Sequence, residues 1–574
     1  MRERIASFRN LIRICGNYLE SRRGIQTFIV FSFFFAIFFI VYFSVSTIAA
    51  NDDLLFHFRF AQQLIQNGFL HSFYDFKSIY FSKIAQGNIY FAYYNFLYYL
   101  VILPFTLITP LFLGMKLFAV CAAAFAFTLL YFCLKRFEVK YPFIWTVLIL
   151  AISSTSSVWR FFSSRPYTLA PAFLVLLLYF LYKKNYIGVF SISLIYFYWH
   201  DATFFFPLCV AVGYFIIEKF YHSRGDYKNL LSTFFALAIG IGLTLLISHG
   251  FFEFVKDVVF GDTFTVLNHA KIPIMEGREL YPVDFFNFVQ GNSLIFAAFV
   301  TTLVADLCIY VSFRRNRMSS TEYLGDLPLS RRILQMNVLV ITAMFFLGVL
   351  AISGRFGDYF TFFAALYIAL SVDYIRRTTI IKTLPIIRRG VLVGLSVVLI
   401  YLFTSNMLFL QDLLGHGPSP FEMYGTGTWL VKNTKPGDIV FEANWSWFPG
   451  LYYYSPKNDY VMGIEPRFLY TYNPSLYWLQ THISQNGYVC NTQTCDGLQK
   501  AEVTAFSHAS TSLTWAQVQG DKIAQSLVHD FQSQYVVTSK DYKIFDYVMD
   551  HNKHFKQVFY DPQFEYSIYK VTYE

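Results

Sequence analysis

The sequence predicts an α-helical polytopic membrane protein that ends in a small α/β domain. Hydrophobic residues make up 56% of its 574 residues and charged residues only 14%, whereas soluble domains carry about 25% charged residues. Eleven apolar stretches approach the roughly 20 residues that a helix needs to cross a bilayer, and all of them end before residue 411. The last 164 residues instead alternate short apolar stretches with turn residues, which is typical of a folded polar domain.

The predicted spans are apolar runs separated by polar loops. They cover residues 27–50, 112–134, 141–158, 167–182, 186–199, 202–217, 229–249, 291–313, 333–352, 357–375 and 391–410. The first run is longer than the apolar core of a signal peptide, which indicates a retained anchor. The aromatic stretch from Tyr90 to Thr109 contains Pro104, so we interpret it as a lipid-edge or re-entrant helix.

Positive charge predicts the orientation of the spans. Alternate loops, beginning with the N-terminal segment, hold 24 Lys and Arg residues, and the opposite loops hold about ten. Positively charged loops stay in the cytoplasm. We therefore expect a multi-pass protein of a bacterial inner or plasma membrane, with the N-terminus inside. Residues 51–111 and 250–290 become outer loops of a transmembrane domain over residues 1–410, and an extracytoplasmic domain covers residues 411–574.

The C-terminal tail carries the pattern of an α/β domain. Its predicted elements are a helix end at Thr428–Thr434, strands at Ile439–Glu442 and Tyr535–Thr538, a helix at Asp541–Asp550, and a hairpin of Phe555–Tyr560 with Tyr566–Val571. Its net charge is −5, from 11 basic and 16 acidic residues, and it has no basic stripe. We therefore expect no nucleic-acid partner.

Two of the seven cysteines, Cys490 and Cys495, share the predicted extracytoplasmic domain. In an oxidising compartment such a pair can form a disulfide. A Cys-x4-Cys pair without further Cys or His partners gives little support for a metal site.

The first outer loop opens with two adjacent carboxylates, Asp52 and Asp53, which follow Asn51. One explanation is helix capping, because any of the three residues could cap a helix that runs to Asn67 and Gly68. A capping carboxylate can still accept a proton, so capping and catalysis are compatible.

The same segment resembles the first-loop signature of GT-C glycosyltransferases, in the pattern Asp53-x-x-Phe56-x-x-Arg59 followed by Ala61, Leu64 and Gly68. The likeness is greatest to the oligosaccharyltransferase catalytic subunit, and lipid-linked-sugar mannosyl- and aminoarabinosyltransferases share the plan. The resemblance implies a GT-C-like fold of eleven to thirteen spans. It also implies transfer of a sugar from a polyprenyl-phosphate donor to a cell-envelope glycan, lipid or protein acceptor at the outer face of the bilayer.

The resemblance assigns the general base to Asp53, with Asp52 as a neighbour that raises its pKa or shares its role. His57, on the same predicted helix, joins the substrate-binding candidates. The second acidic motif of the oligosaccharyltransferases is missing, because residues 153–167 hold no carboxylate. This absence argues against a bound Mg²⁺ or Mn²⁺, the only cofactor considered, although the metal requirement stays open. The tryptophan motif that reads N-glycosylation sites is also missing, so we do not predict an N-glycosylating enzyme.

Three arginines in predicted outer turns are candidates for contacts with the carrier phosphate. Arg160 and Arg165 flank the serine-rich second outer loop, and Arg355 lies between two glycines. A guanidinium group can bind two phosphate oxygens at once. The alternatives are snorkelling of Arg160 and Arg165 to lipid headgroups, and an Arg355–Asp358 ion pair that closes the turn.

His200 and Asp201 occupy a tight predicted outer turn. Facing a cavity, they would form an acid–base pair, a substrate contact or a metal ligand. The alternative is a turn whose polar groups reach water.

Other classes of function stay open. A transporter or flippase of lipid-linked precursors should carry polar residues near the middle of its spans, and few are present. An O-antigen ligase or polymerase shares the donor chemistry but usually centres on a large outer loop. A non-catalytic membrane subunit is the third alternative.

Overall fold

A computed structural model describes residues 23–48, 53–67, 95–222, 225–247, 281–315, 328–377, 385–463, 466–495 and 509–573. Within these ranges the protein is mainly helical. The helices are α1 (Arg23–Phe43), α2 (Asp53–Asn67), α3 (Phe96–Thr106), α4 (Leu111–Arg136), α5 (Pro142–Ile152), α6 (Thr155–Arg160), α7 (Ala170–Tyr182), α8 (Tyr186–Trp199), α9 (Phe206–His222), α10 (Tyr227–Ile247), α11 (Phe285–Gly291), α12 (Ser293–Arg315), α13 (Leu329–Ala351), α14 (Phe356–Arg377), α15 (Pro385–Gly415), α16 (Tyr424–Asn433), α17 (Phe448–Tyr454), α18 (Pro466–Tyr472), α19 (Pro474–Asn486), α20 (Ala509–His529) and α21 (Lys543–Asp550). The strands are β1 (Ile439–Glu442), β2 (Asp459–Tyr460), β3 (Ser533–Ser539), β4 (Phe555–Asp561) and β5 (Tyr566–Val571).

Seven of the described helices are long and apolar enough to cross a membrane, namely α1, α4, α10, α12, α13, α14 and α15. Each satisfies its backbone hydrogen bonds within the helix, as a lipid environment requires. The predicted class, a helical multi-pass membrane protein with a small C-terminal sheet, is confirmed.

Four predicted spans form shorter helices. α7, α8 and α9 have 13, 14 and 17 residues. α5 has 11 residues, so it is only about 16 Å long, against roughly 30 Å of hydrocarbon. The single span predicted over residues 141–158 is wrong, because Ser153 is extended and Ser154 caps a new helix by accepting a hydrogen bond from the Ser157 N–H at 3.2 Å.

The chain divides into two compact units. The helical unit comprises residues 1–49, 113–243 and 279–416, and the α/β unit comprises residues 50–112, 244–278 and 417–574. α2 and α3, from the first predicted outer loop, therefore belong to the same unit as the C-terminal tail.

α14 lies in the core of the helical unit, since nearly all of its residues from Asp358 to Tyr374 are buried. It packs against α12 and α13 through aromatic rings. The Phe345 and Tyr359 rings stack with centroids 4.8 Å apart, and the Phe299 and Tyr367 rings meet edge-on at 5.5 Å. The N-terminal end of α14 is thereby held in a fixed position, which matters for the site.

The sheet of the α/β unit has the strand order β2-β1-β3-β5-β4. β1 pairs in parallel with both β2 and β3, whereas β5 pairs antiparallel with β3 and β4. β-Branched and aromatic residues such as Val440, Val536 and Ile568 are fully buried and favour the extended backbone. The strands and helices predicted for the tail are all present, and β2 and α17 to α20 are additional elements.

α2, from the first predicted outer loop, packs inside the α/β unit. The Phe56 ring lies 5.6 Å from the Tyr452 ring and 6.0 Å from the Phe448 ring of α17. The Tyr452 hydroxyl donates a hydrogen bond to Gln63. α2 is therefore part of the core of this unit.

Candidate functional site

The predicted base, Asp53, is the first residue of α2. Its side chain is half-buried, and Leu54 and Leu55 behind it are buried. A carboxylate in the first turn of a helix is stabilised by the partial positive charge of the helix N-terminus. Asp52 and Asn51 lie outside the described residues.

His57 lies one turn further along α2 and is only 8% exposed. Its Nδ1 atom is 2.9 Å from the Tyr99 hydroxyl of α3, and the Tyr98 ring packs edge-on against the imidazole. His57, which was predicted to contact the substrate, therefore links α2 to α3 in the structure.

Arg59, the last residue of the predicted signature, is also largely enclosed. Its Nη1 donates to the Gln62 side chain at 3.0 Å, and its buried Nε has no hydrogen-bond partner among the described residues. Burial lowers the pKa of Arg59, and the nearby Tyr452 and Tyr453 act in the opposite direction.

In the helical unit, Arg160 at the end of α6 forms an ion pair with Asp358 in the first turn of α14. The Arg160 Nε and Asp358 Oδ2 atoms are 2.7 Å apart, and the side chains are only 15% and 9% exposed. The Arg160 guanidinium also lies over the Tyr167 ring, 4.6 Å from its centroid. An arginine that snorkelled to lipid headgroups would be more exposed, so the structure disfavours that alternative for Arg160.

The other two predicted phosphate contacts lie near this pair. The Arg165 guanidinium is 5.8 Å from the centroid of the same Tyr167 ring. Arg355 precedes α14 by one residue, and its carbonyl accepts a 3.4 Å hydrogen bond from the Asp358 N–H. We call Arg160, Arg165, Arg355 and Asp358 the arginine cluster, which holds three guanidinium groups and one carboxylate.

His200 follows α8 and starts a chain of hydroxyl groups that leads to α14. Its Nδ1 atom is 2.5 Å from the Thr203 hydroxyl, which is 2.8 Å from the Tyr196 hydroxyl. The Tyr196 hydroxyl is 3.2 Å from that of Tyr359. Burial lowers the pKa of His200, and the positive charge of Arg355 lowers it further, so the imidazole is neutral near pH 7.

The sequence therefore identified residues that the fold brings together from distant parts of the chain. Arg160, Arg165, His200 and Arg355 come from three separate segments and meet around the start of α14. Asp201 begins a short 3-10 helix, Asp201–Thr203, and its side chain lies outside the description. Asp53 belongs to the α/β unit and the arginine cluster to the helical unit.

Lys116 and Asp306 are two of the buried charges that escaped the sequence analysis. Lys116 of α4 is 3% exposed and donates to the carbonyl oxygen of Tyr42, in the last turn of α1, at 3.3 Å and to that of Val45, beyond the end of α1, at 2.5 Å. The sequence did show a lysine one turn inside an apolar run. A buried ammonium group requires hydrogen-bond acceptors, so this lysine could have been predicted to have partners.

The second buried charge is Asp306 of α12, the one carboxylate inside that apolar run. Its Oδ2 atom accepts hydrogen bonds from Gln335, Tyr367 and Ser371 at 2.6 to 2.8 Å. Arg332 lies 3.9 Å away. These contacts tie α12, α13 and α14 together.

Among the described residues, one group could hold a metal ion, formed by His482, Cys490 and Cys495. The two cysteines face each other as a disulfide pair, with Cα atoms 6.5 Å apart. Nitrogen and sulfur donors suit zinc, whereas Mg²⁺ and Mn²⁺ prefer oxygen donors. This donor set therefore does not fit the divalent metal considered for sugar transfer.

No protein-family model matches the chain, and no curated protein sequence matches it. Among solved structures, the chain is similar to the crystal structure of ArnT from Cupriavidus metallidurans in the apo state. The TM-score is 0.49 and the sequence identity 11%, over 96% of this chain and 98% of that chain. A likeness of this degree assigns no residue a role.

Proposed function

We propose that this protein is a membrane glycosyltransferase that transfers a sugar from a polyprenyl-phosphate carrier to a cell-envelope glycan, lipid or protein. The observation that carries the proposal is the arginine cluster. Three guanidinium groups and one carboxylate leave an excess of positive charge beside a neutral imidazole. Planar guanidinium groups recognise a phosphate group through paired hydrogen bonds.

In the proposed reaction, the bond between the anomeric carbon and the phosphate oxygen breaks as an acceptor oxygen or nitrogen bonds to the same carbon. The acceptor's proton passes to Asp53, whose carboxylate acts as the general base. The leaving phosphate gains negative charge, which Arg355 and Arg165 offset. Asp358 orients Arg160 through their ion pair, so Arg160 acts from a fixed position.

The first test measures whether the protein releases the carrier phosphate and whether Asp53 is needed for this release. Purified protein in nanodiscs is incubated with lipid-linked sugars extracted from wild-type membranes and with an acceptor extract. Mass spectrometry then measures the release of free polyprenyl phosphate. We expect release that depends on the protein, and Asp53→Asn should lower its rate by about 10²-fold or more.

Asp53→Asn keeps the size of the side chain and its favourable place at a helix start, because Asn and Asp serve helix N-termini about equally. The matched control is Asp412→Asn, which changes an exposed carboxylate at the end of α15. An Asp53→Asn protein as active as the control would remove Asp53 from the reaction.

A second function is favoured by the buried Asp306, because ionisable residues inside spans often mark transport pathways. A flippase of lipid-linked precursors would move the donor without consuming it. In proteoliposomes, the donor would change leaflets with its sugar still attached and no polyprenyl phosphate would be released. The same mass measurement, combined with a leaflet-accessibility assay, therefore separates the two functions.

A further inference from the structure

A cavity of about 280 Å³ opens in the α/β unit at the carboxyl ends of its parallel strands. β1 has β2 on one side and β3 on the other, and all three run in the same direction. The residues that follow each strand line the cavity, namely Trp445 after β1, Met462 after β2 and Tyr542 after β3. In open α/β sheets, ligands bind in the crevice at this edge, where neighbouring connections diverge.

α19 forms one wall of the cavity. Tyr477, Gln480, Thr481 and Ser484 line it at intervals of three and four residues, so they lie on one face of the helix. Tyr477 and Gln480 are buried at 0% and 2% exposure and form the inner part of the wall. Gln485, one residue beyond this face, is exposed at the rim.

Hydrogen bonds within the protein hold several lining groups in place. The Gln480 Nε2 atom donates to the carbonyl oxygen of Glu442, the last residue of β1, at 3.2 Å. The Asn444 side chain accepts a hydrogen bond from the Ser446 N–H at 2.9 Å. The Tyr542 hydroxyl interacts with the side chains of Asn444 and Gln485. The site is therefore largely preformed, which lowers the entropy lost on binding.

The chemistry of the lining is uncharged. The lining residues, all within the described part of the chain, carry amide, hydroxyl and aromatic groups but no carboxylate, ammonium, guanidinium or imidazole group. A phosphate or a charged peptide would gain no ionic contact here. Amides and hydroxyls both donate and accept hydrogen bonds, which matches the hydroxyl groups of a sugar. The flat faces of Trp445 and Tyr542 suit the apolar face of a sugar ring.

We propose that this cavity, formed mainly by Asn444, Trp445, Tyr477, Gln480, Ser484 and Tyr542, binds a residue of a neutral carbohydrate. We call it the neutral cavity. Its volume of about 280 Å³ lies just below the roughly 300–1,000 Å³ range of small-molecule sites, which suits a single sugar ring. Binding needs neither a donor nor a transfer reaction, so the proposal goes beyond the proposed function and survives its failure.

The test uses full-length protein in nanodiscs without donor. The probes are neutral trisaccharides of glucose, mannose, galactose and N-acetylglucosamine, and saturation-transfer NMR with isothermal titration measures their binding. We expect at least one probe to bind and Trp445→Ala to weaken it about tenfold, because a stacking surface is lost. Trp445→Phe, which keeps a ring, should weaken binding less. Raising the salt concentration should leave binding unchanged, because no charged group lines the cavity.

The matched control is Trp429→Ala in the same unit. The Trp429 ring packs against the Tyr535 and Phe559 rings, and Trp429 does not line the cavity. Unfolding curves of each variant show whether the unit is folded. The proposal is wrong if no probe binds at about 10 mM. It is also wrong if folded Trp445→Ala and Trp445→Phe proteins bind as well as Trp429→Ala does.

Discussion

The arginine cluster and the neutral cavity differ most in the charge of their side chains. In the cluster, Asp358 stays close to a guanidinium group, and two further arginines lie nearby. Glu442 directly precedes Ala443, which lines the neutral cavity, and it is fully buried and bonded to the N–H groups of residues 461 and 462. Burial raises the pKa of Glu442 well above its usual value, which favours the neutral acid.

This difference shows that burial alone does not define a binding chemistry. The Asp358 carboxylate has a guanidinium group within hydrogen-bond distance, whereas burial raises the pKa of Glu442 even though backbone N–H groups act in the opposite direction. The cluster is therefore suited to an anion and the cavity to an uncharged ligand. Four predictions test this contrast, from the largest expected effect to the smallest.

Removing one member of the Arg160–Asp358 pair should produce the largest effect. Arg160→Ala leaves a buried carboxylate without its cation, which costs roughly 3–5 kcal/mol of stability. The double variant Arg160→Ala, Asp358→Ala should recover much of that loss, because neither member of the pair is then left without the other. Denaturant unfolding of both proteins in detergent measures the difference. Equal stability of the wild type and Arg160→Ala would show that the buried Asp358 does not depend on Arg160 and would contradict this prediction.

The next effect concerns the segment that follows α19, the wall of the neutral cavity. Cys490 and Cys495 should be oxidised to each other, and their loop of a few residues should stabilise the α/β unit by at most about 2 kcal/mol. Intact-mass measurement after alkylation, with and without reductant, gives the redox state. Thermal unfolding of Cys490→Ser should show the loss, and Cys308→Ser, at an exposed free cysteine, serves as control. Alkylation of both thiols without reductant would contradict the prediction.

Arg355→Lys should impair the arginine cluster and leave the neutral cavity unaffected. Lysine keeps the charge but loses the planar pair of donors, so the apparent donor KM should rise about tenfold. Trisaccharide binding to the neutral cavity should not change. Asp412→Asn is the matched control for surface charge. An unchanged donor KM in both Arg355→Lys and Arg355→Ala would exclude Arg355 from the phosphate site, leaving Arg165 and Arg160.

The smallest effect is a pH dependence in the α/β unit. Burial, followed by the negative charge of Asp550, raises the pKa of Asp546 to about 6. Because the folded state holds this proton more tightly than the unfolded chain, the contribution to stability is complete below about pH 4 and is lost as pH rises through about 6. Asp546 is only half-buried, and solvent screening keeps the slope well below the one-proton limit of about 1.4 kcal/mol per pH unit.

Asp546→Asn should flatten this dependence, because an amide does not titrate and still accepts the Tyr569 hydroxyl. Unfolding free energies between pH 4 and pH 7 measure it. Asp530→Asn, at an exposed carboxylate, is the control and should leave the slope unchanged. A wild-type protein whose α/β unit gains stability over this range would show that the sign is wrong.

The sequence predicted elements well where one physical signal dominated. The long apolar runs became helices, and the β-branched segment around Val536 became a buried strand. It failed where the signal was short or mixed. β2 has only two residues, and α19 alternates Tyr477 and Ile483 with polar groups that face a cavity, so its periodicity is weak. Ser153 and Ser154 end α5 through backbone conformation and capping, which an apolar count overlooks.

The sequence could nominate residues for the candidate site, but it could not predict which of them pair. The arginines stood out because charge is rare in apolar surroundings. The partner of Asp358 is 198 positions away in sequence, and only the fold brings Arg160 to it. The roles of Asp53 as base and of Arg355 as phosphate contact stay predictions until transfer is measured.

The shortness of α5 has a consequence for the surrounding lipid. Phe143 and Ile144 are exposed, so α5 offers an apolar surface about half as long as the acyl region of an ordinary bilayer. Hydrophobic mismatch of this kind is relieved when the bilayer thins locally or flanking residues reach for the interface, at a cost of fractions of a kcal/mol per Å. Beside α5 we therefore expect the bilayer to be thinner than it is around the seven longer helices.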